Sequence, residues 1–594
     1  MSQIGLSSQS VGAEEVKNVL NGIEVQTAPV HVGDSDYEEM IEDDAINITI
    51  GVFFDGTGNN RKNTKARKLY EERENGKQLG EDKNEIAAKY RKFDIWSSGV
   101  DIYKNKGFHK NRTGSYENDL SNVARLEQFY EDTDKGKNYF EKVYIEGIGT
   151  TDYEDDDIPG MATGMSALWK FYNTGIRDKV EKGCEKCGKL ISKKITKNIN
   201  HLTIDVFGFS RGAAAARNFL HEIHKKKGDF KELVAHAGTT PMTPYSTMIT
   251  YSEETYKADG GFLGEFLVEN NIKVKNATIR FAGLFDSVAS HGLIQSNDVK
   301  DLGLSAVKHA QHTFHLVAAD EHRFKFSLTD ISSAGSKGVE KYLPGVHSDV
   351  GGCYEHNKPE ENIFLNFATS SSSSQKRFKK DYEYLQEQGW YDKEQLTIRE
   401  EILDLTTLLG INDDSCKILY GNREKISNKY SYIPLHFMGK QLFDKKVFKE
   451  DNLTQLKKEF KFSDDPVLAM AEKRLREYVF EGGKPLDFYG NEEDRNILLS
   501  LRNKYFHFSA QYFHNMDSIG MQPEWSGSYR AREIYSDTGR APKMVPLQYY
   551  EFRHKKVKTE NQKYQGNKTI YQKQIDEIQK VPEITPLNKF IPRN

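Results

Sequence analysis

Four short apolar runs, each ending in a polar turn or corner, punctuate the first half of the chain: INITIGVFF from Ile46, KVYIEGIGT from Lys142, LTIDVFGF from Leu202 and ATIRFAGLF from Ala277. They are rich in β-branched and aromatic residues, and their apolar positions run on without strict alternation, as in strands covered on both faces. Between them lie stretches with helical spacing, including NVARLEQFYED, MSALWKFYNTGIRDKV and the alanine-rich run after Ser210. Strands buried on both sides and separated by helices predict the α/β class with a mostly parallel central sheet. Residues 1–45 are polar and acidic and are expected to form a flexible arm. The segments 60–115 and 221–275 read as insertions, and the character changes near residue 356. Beyond it, 357–594 is rich in Lys, Glu, Tyr and Phe, carries the low-complexity TSSSSSQKR, and is expected to be largely helical. That region would pack on the core or contact a membrane or a partner.

Composition narrows the function classes. In 594 residues the net charge is only −4, so no global field argues for nucleic acid as a partner. The first twenty residues lack a basic region followed by an apolar one, and no run is long enough to span a bilayer. The expectation is synthesis in the cytoplasm. Four cysteines do not make a disulfide framework, and GCEKCG, with Cys184 and Cys187, has no second pair to complete a zinc site and reads as a hydrophilic loop. No metal and no cofactor is expected.

The stretch GFSRG places Ser210 between Gly208 and Gly212, after an apolar run and before an alanine-rich helix. This is the G-x-S-x-G nucleophile elbow in the context it requires, with the small residues needed where strand and helix approach closely. The backbone N–H of Arg211 and the start of the helix would face a developing oxyanion. A serine needs a base and an orienting acid. Asp286, at the end of ATIRFAGLF, and His347, in the loop YLPGVHSDVGG, follow in the order Ser, Asp, His of α/β-hydrolases. Asp349 competes as the orienting acid or holds the loop. The loop FFDGTGNN after the first strand is the expected source of the second oxyanion donor, Gly56 or Thr57. A rival reading makes Asp55 the covalent nucleophile of a phosphatase-like site, but a second acid of D-x-D-x-T is missing.

Other features carry less. His309, His312 and His315 recur every three residues and would fan around a helix rather than share a face, so they read as ordinary helix or strand positions. The acidic loop DYEDDDIPG lacks the glycine and glutamate of an EF-hand loop. The aromatic stretch KYFHFSAQYF and the basic run RHKKVK at 553–558 could contact a membrane surface, against the plainer readings of a core helix and a solvated tail.

Taken together, FFDGTGNN, GFSRGAAAAR, GLFDSVAS and PGVHSDVGG resemble, in order, the motifs of the first lipase-effector family of type VI secretion phospholipase effectors. SYIPLHFMGK and LRNKYFHFSAQY resemble further family elements more weakly. The resemblance spans about residues 46–356 and implies an α/β-hydrolase whose triad falls on Ser210, Asp286 and His347. It implies hydrolysis of glycerophospholipid acyl esters in a rival bacterium, acting at target-cell membranes from the periplasm after injection by a contractile apparatus. It also implies a secretion spike protein and a cognate immunity protein as partners. The long segments 60–115 and 221–275 depart from the compact pattern expected of the family. Two alternatives stay open: a soluble serine esterase with a small substrate, and a docking protein with a degenerate hydrolase fold.

Overall fold

The computed structural model describes residues 45–99, 114–157, 174–194, 198–240, 243–291, 296–297, 299–403, 414–512, 522–527 and 529–547. The N-terminal arm, the run MSALWKFYN and the basic run RHKKVK lie outside the described residues.

The central sheet is built from β1 (Ile46–Phe54), β2 (Asn138–Ile145), β3 (Asn198–Phe209), β4 (Lys273–Phe285), β5 (His312–Ala318) and β6 (Gly338–Leu343). Its order is β6-β5-β4-β3-β1-β2 and these strands are parallel throughout; Asp134–Lys135 adds a short antiparallel edge beside β2. All four apolar runs lie in it, and the fold is α/β with a mostly parallel sheet, as the pattern predicts. From β1 the chain moves to one side and from β3 to the other, so β1 and β3 flank the point where the winding reverses. In open α/β sheets the crevice at the carboxyl ends of such strands collects functional groups.

Period-two alternation divides each strand between two cores. Ile48, Ile50, Val52 and Phe54 of β1, with Ile204 and Val206 of β3, face one layer; Phe53, Phe207 and Phe209 face the other. In β4 an extra residue interrupts the register with β3, and Arg280 there pairs with the buried Asp205.

The first layer is closed by helices α1 (Ile176–Lys194) and α2 (Arg211–Glu222). The cysteine pair expected in a hydrophilic loop lies inside α1, on its buried face with Ile176, Val180 and Ile191. The glycines that suggested a loop serve close packing instead: a methyl at Gly183 or Gly188 would run into the rings of Phe54 and Phe266. The second layer is filled largely from beyond residue 356. Tyr430, with Ile433, Phe437 and Met438 of α3 (Tyr432–Asp444), shares a core with Phe53, Phe207 and Phe209. In that part of the chain helices alternate with an antiparallel sheet of β7 (Lys358–Ala368), β8 (Leu396–Leu403) and β9 (Asp414–Ile426), and with the pair β10 (Tyr529–Tyr535) and β11 (Lys543–Pro546). β10 also pairs in parallel with Leu328–Thr329.

The KYFHFSAQY segment is neither a core helix nor a surface patch. It runs as extended chain after the helix Glu492–Lys504, with Phe506, Phe508 and Ala510 buried and its polar groups spent inside: the Phe508 amide donates to Glu360 and the Ser509 hydroxyl to Glu321. Polar residues inserted between aromatics hid a buried strap.

Arg217 of α2 ties the late chain to this frame. Its guanidinium, without exposed surface, reaches the carbonyls of Leu304, Thr329 and Asp330 and pairs with Asp537 at 2.8 Å. Removing one partner of a buried pair strands the other charge. Arg217→Met is expected to lower unfolding free energy in urea by about 3–5 kcal/mol, and Arg217→Met/Asp537→Asn to recover part of that loss.

Candidate active site

Ser210 occupies the single residue between β3 and α2, with φ 61° and ψ −131°. A non-glycine residue at positive φ is strained, and such strain persists where the surroundings over-determine it. Here the Ser210 amide donates to the Phe285 carbonyl at 3.1 Å, while its carbonyl accepts from Ala213, Ala214 and Val288. The flanking glycines are steric necessities: a methyl at Gly208 would meet the backbone of Gly212 and Ala213, and one at Gly212 the carbonyls of Phe54 and Asp55. The corner that the G-x-S-x-G spacing predicts is thus formed.

Asp286 follows β4 directly, at φ 41°, with its amide bonded to Leu316 of β5. It has no exposed surface. His347 opens a short helix, His347–Gly351, after β6. The two meet: His347 Nδ1 lies 2.5 Å from Asp286 Oδ2. The imidazole stacks near Phe209, ring centroids 4.5 Å apart, and meets the ring of Phe326 edge-on at 5.0 Å. Phe209 immediately precedes Ser210, so serine, histidine and aspartate converge at the carboxyl ends of β3, β6 and β4.

Asp286 accepts three further hydrogen bonds: from the Ala318 amide at 2.9 Å and from both terminal nitrogens of Arg532 at 2.8 and 2.9 Å. Burial alone would raise its carboxyl, but Arg532 and His347 together hold it well below the usual carboxylate range. An ionised carboxylate only accepts, so Nδ1 of His347 carries a proton and Nε2 is left as the basic nitrogen. Burial pushes His347 below its ordinary value, with Asp286 pulling the other way.

Asp349 is directed elsewhere. Its carboxylate accepts from the Val346 amide and from His507, capping its own helical turn and anchoring the buried strap. Asp55 is equally committed: it accepts from Ser121 Oγ at 2.5 Å, Tyr144 Oη at 2.6 Å and the Gly56 amide at 2.7 Å. With 1% exposure it is a loop anchor, and both oxygens that a phosphatase-like nucleophile would use are engaged. The same bonds separate the two expected oxyanion donors. The amides of Asp55, Gly56, Gly58 and Asn59 all have acceptors within the protein, so of the two expected donors Gly56 is already spent and Thr57 is left. Arg211 Nε donates to Thr57 Oγ1 at 2.9 Å, tying this loop to the elbow.

Three groups at the site escaped the sequence reading. Arg532 stands 246 residues from Asp286. Glu321 accepts the His347 amide at 3.1 Å and pairs with Arg323. His315, on β5 and buried, accepts the Ser287 amide at 3.0 Å and contacts Glu340 through its other nitrogen, propping the turn that carries Asp286. For the last, the histidine spacing left helix or strand positions open; His309 ends a 3₁₀ turn and the other two sit on a strand.

A strained serine between a parallel strand and a helix, beside a histidine–aspartate pair, defines an α/β-hydrolase-like protein. The family described as "T6SS, Phospholipase effector Tle1-like, catalytic domain" matches residues 49–371, and the chain belongs to it. Among solved structures, one described as the Tle1 effector bound to the VgrG spike from the type 6 secretion system is 19% identical, covering 82% of this chain and 91% of that one, with a TM-score of 0.45. An uncharacterized protein from Pseudomonas aeruginosa is 16% identical, covering 76% and 52%, with a TM-score of 0.32. No curated protein matches the chain.

The elbow's steric demand can be tested directly. Gly212→Ala should lower stability in urea by about 1–3 kcal/mol through overpacking. Gly80→Ala, where nothing stands within 4 Å of the added methyl, should stay within about 0.5 kcal/mol of the parent.

Proposed function

We propose that the protein hydrolyses acyl esters of glycerophospholipids through Ser210, His347 and Asp286, with an acyl-enzyme intermediate. The observation that carries this reading is the short bond from His347 Nδ1 to a fully buried Asp286, at the edge of the Ser210 elbow. Neutral Nε2 takes the Ser210 proton as Oγ attacks the acyl carbonyl, and Asp286 stabilises the imidazolium that forms. The Arg211 and Thr57 amides hold the oxyanion, the positive end of α2 adding to them. Collapse expels the lysolipid with the proton from His347, and water activated by the same nitrogen then frees the fatty acid. Gly56 supports this indirectly, by fixing Asp55.

Family membership supports the phospholipid as substrate and delivery by the type VI apparatus. We extend it to binding of a secretion spike protein, to neutralisation by a cognate immunity protein, and to action at target membranes from the periplasm. Among the described residues no helix is long and apolar enough to cross a membrane.

The test is fatty-acid release from mixed phospholipid vesicles by the parent and Ser210→Ala, both checked for folding. Ser210→Ala is expected to lose at least about a thousand-fold in rate. Equal release by both would remove Ser210 from the mechanism; activity confined to soluble short-chain esters would move the assignment to a small-substrate esterase. Because only neutral His347 is a base and burial depresses it, the acid limb of kcat/KM should fall below the ordinary imidazole value of 6.5. A limb well above that value would contradict the environment described for the ring.

A further inference from the structure

The acid of a serine-hydrolase triad is ordinarily balanced by its histidine and by hydrogen-bond donors. Asp286 meets, besides the neutral histidine, a full positive charge that comes from the far end of the described chain. β10 carries two arginines at alternate positions, Arg530 and Arg532, both buried on one side of the strand as the period of two requires. Arg530 pairs with Asp381 and contacts His322. Arg532 makes a two-pronged contact with both oxygens of Asp286, and also donates to the carbonyls of Ala318, at the end of β5, and Phe326, whose ring borders His347. These contacts lie around the imidazole: the acid, the strand end that donates to the acid, and the aromatic wall.

We propose that Arg532 is a positioning residue of the acyl-transfer site, orienting Asp286 toward His347 through its guanidinium fork and offsetting part of the carboxylate's charge, so that β10 belongs to the catalytic apparatus. This rests on the triad reading above. A bidentate guanidinium fixes the carboxylate in rotation as well as position, which a single-point cation does not. It also draws on the negative charge that would otherwise favour imidazolium. The charged groups acting on His347 are Asp286 from the end of β4 and Glu321 and Arg323 from the segment after β5, with Arg532 of β10 reaching it through Asp286; Asp349, on its own turn, is turned toward His507. Glu321 and Arg323 neutralise one another through their own pair, so Arg532 is the cation whose removal leaves Asp286 facing the imidazole alone.

Two variants separate orientation from charge. In Arg532→Gln the cation is lost, so the acid limb of kcat/KM should move to higher pH by about one unit, and kcat should fall about ten- to a hundred-fold. In Arg532→Lys the charge stays and the fork is lost: kcat should fall about ten-fold or more, with the limb at the parent position. The assay is hydrolysis of the vesicles and of a soluble short-chain ester by the full chain from pH 5 to 9, with Ser210→Ala alongside and thermal unfolding to verify folding. An unmoved limb in folded Arg532→Gln would overturn the charge role, leaving a merely structural arginine. Should Arg532→Gln not fold, Arg532→Lys decides: parental kcat overturns the proposal, and a reduced kcat with an unmoved limb supports it. Failure of the triad reading itself would appear separately, as undiminished hydrolysis by Ser210→Ala.

Discussion

A carboxylate with no exposed surface cannot remain ionised unless its neighbours compensate it, and Asp286 is the point at which this structure meets that demand. Four parts of the chain converge there: the end of β4, the Ala318 amide after β5, the histidine after β6, and the arginine of β10. None is local to another in sequence. Their meeting requires the parallel order of the sheet to be complete through β6 and the late strand to be docked. The site is consequently a product of the whole fold rather than of the elbow alone, and the charge balance at Asp286 depends on the same contacts that hold the C-terminal part in place.

The two-sided sheet makes that dependence possible. One layer, under α1 and α2, is closed by helices from the first half of the chain, and the other is closed mostly by residues after 356. Phe209 illustrates the coupling. It belongs to the second core, stacks on His347, lies against Gly351 too closely for any side chain there, and precedes the strained serine. Packing from the late helices thus presses on the residue that adjoins both Ser210 and His347. Strain at Ser210 is tolerable because its backbone is bonded on both sides, to Phe285 and to Val288.

The sheet was legible because both-sided burial leaves continuous apolar runs, and the elbow because its glycines answer a steric rule that can be read locally. Asp286 and His347 were legible as strand-end and loop residues in the right order; their contact is a tertiary fact. What escaped had a common physical cause. Cys184 and Cys187 looked hydrophilic because glycines and lysines surround them, yet the glycines mark close helix packing, and Lys182 and Lys186 reach the buried Glu146 and the Tyr144 carbonyl. The strap at 505–512 admitted a surface contact because it mixes polar residues with aromatics, yet several of its polar groups bond to Glu321, Asp349 and Glu360, partners from distant segments. Nothing in the sequence around Arg532 points to Asp286, 246 residues away. Sequence periodicity reports which faces are apolar, but it is silent on which buried charges find each other.

That silence bears on how the oxyanion loop is understood. FFDGTGNN offered two glycines as evidence of free amides, but a loop must spend most of its donors on holding its own shape. Asp55 does this work: by gathering Ser121, Tyr144 and Gly56 it leaves the loop rigid and Thr57 outward, and Arg211 then binds the Thr57 hydroxyl from the other side of the crevice. Preorganised donors act on a developing charge without reorganising when it appears. The acidic residue that could be mistaken for a nucleophile is thereby better understood as the reason a neighbouring amide can stay free. The same logic joins both buried aspartates at the strand ends: each is held by several fixed donors, and each holds a neighbouring group in place.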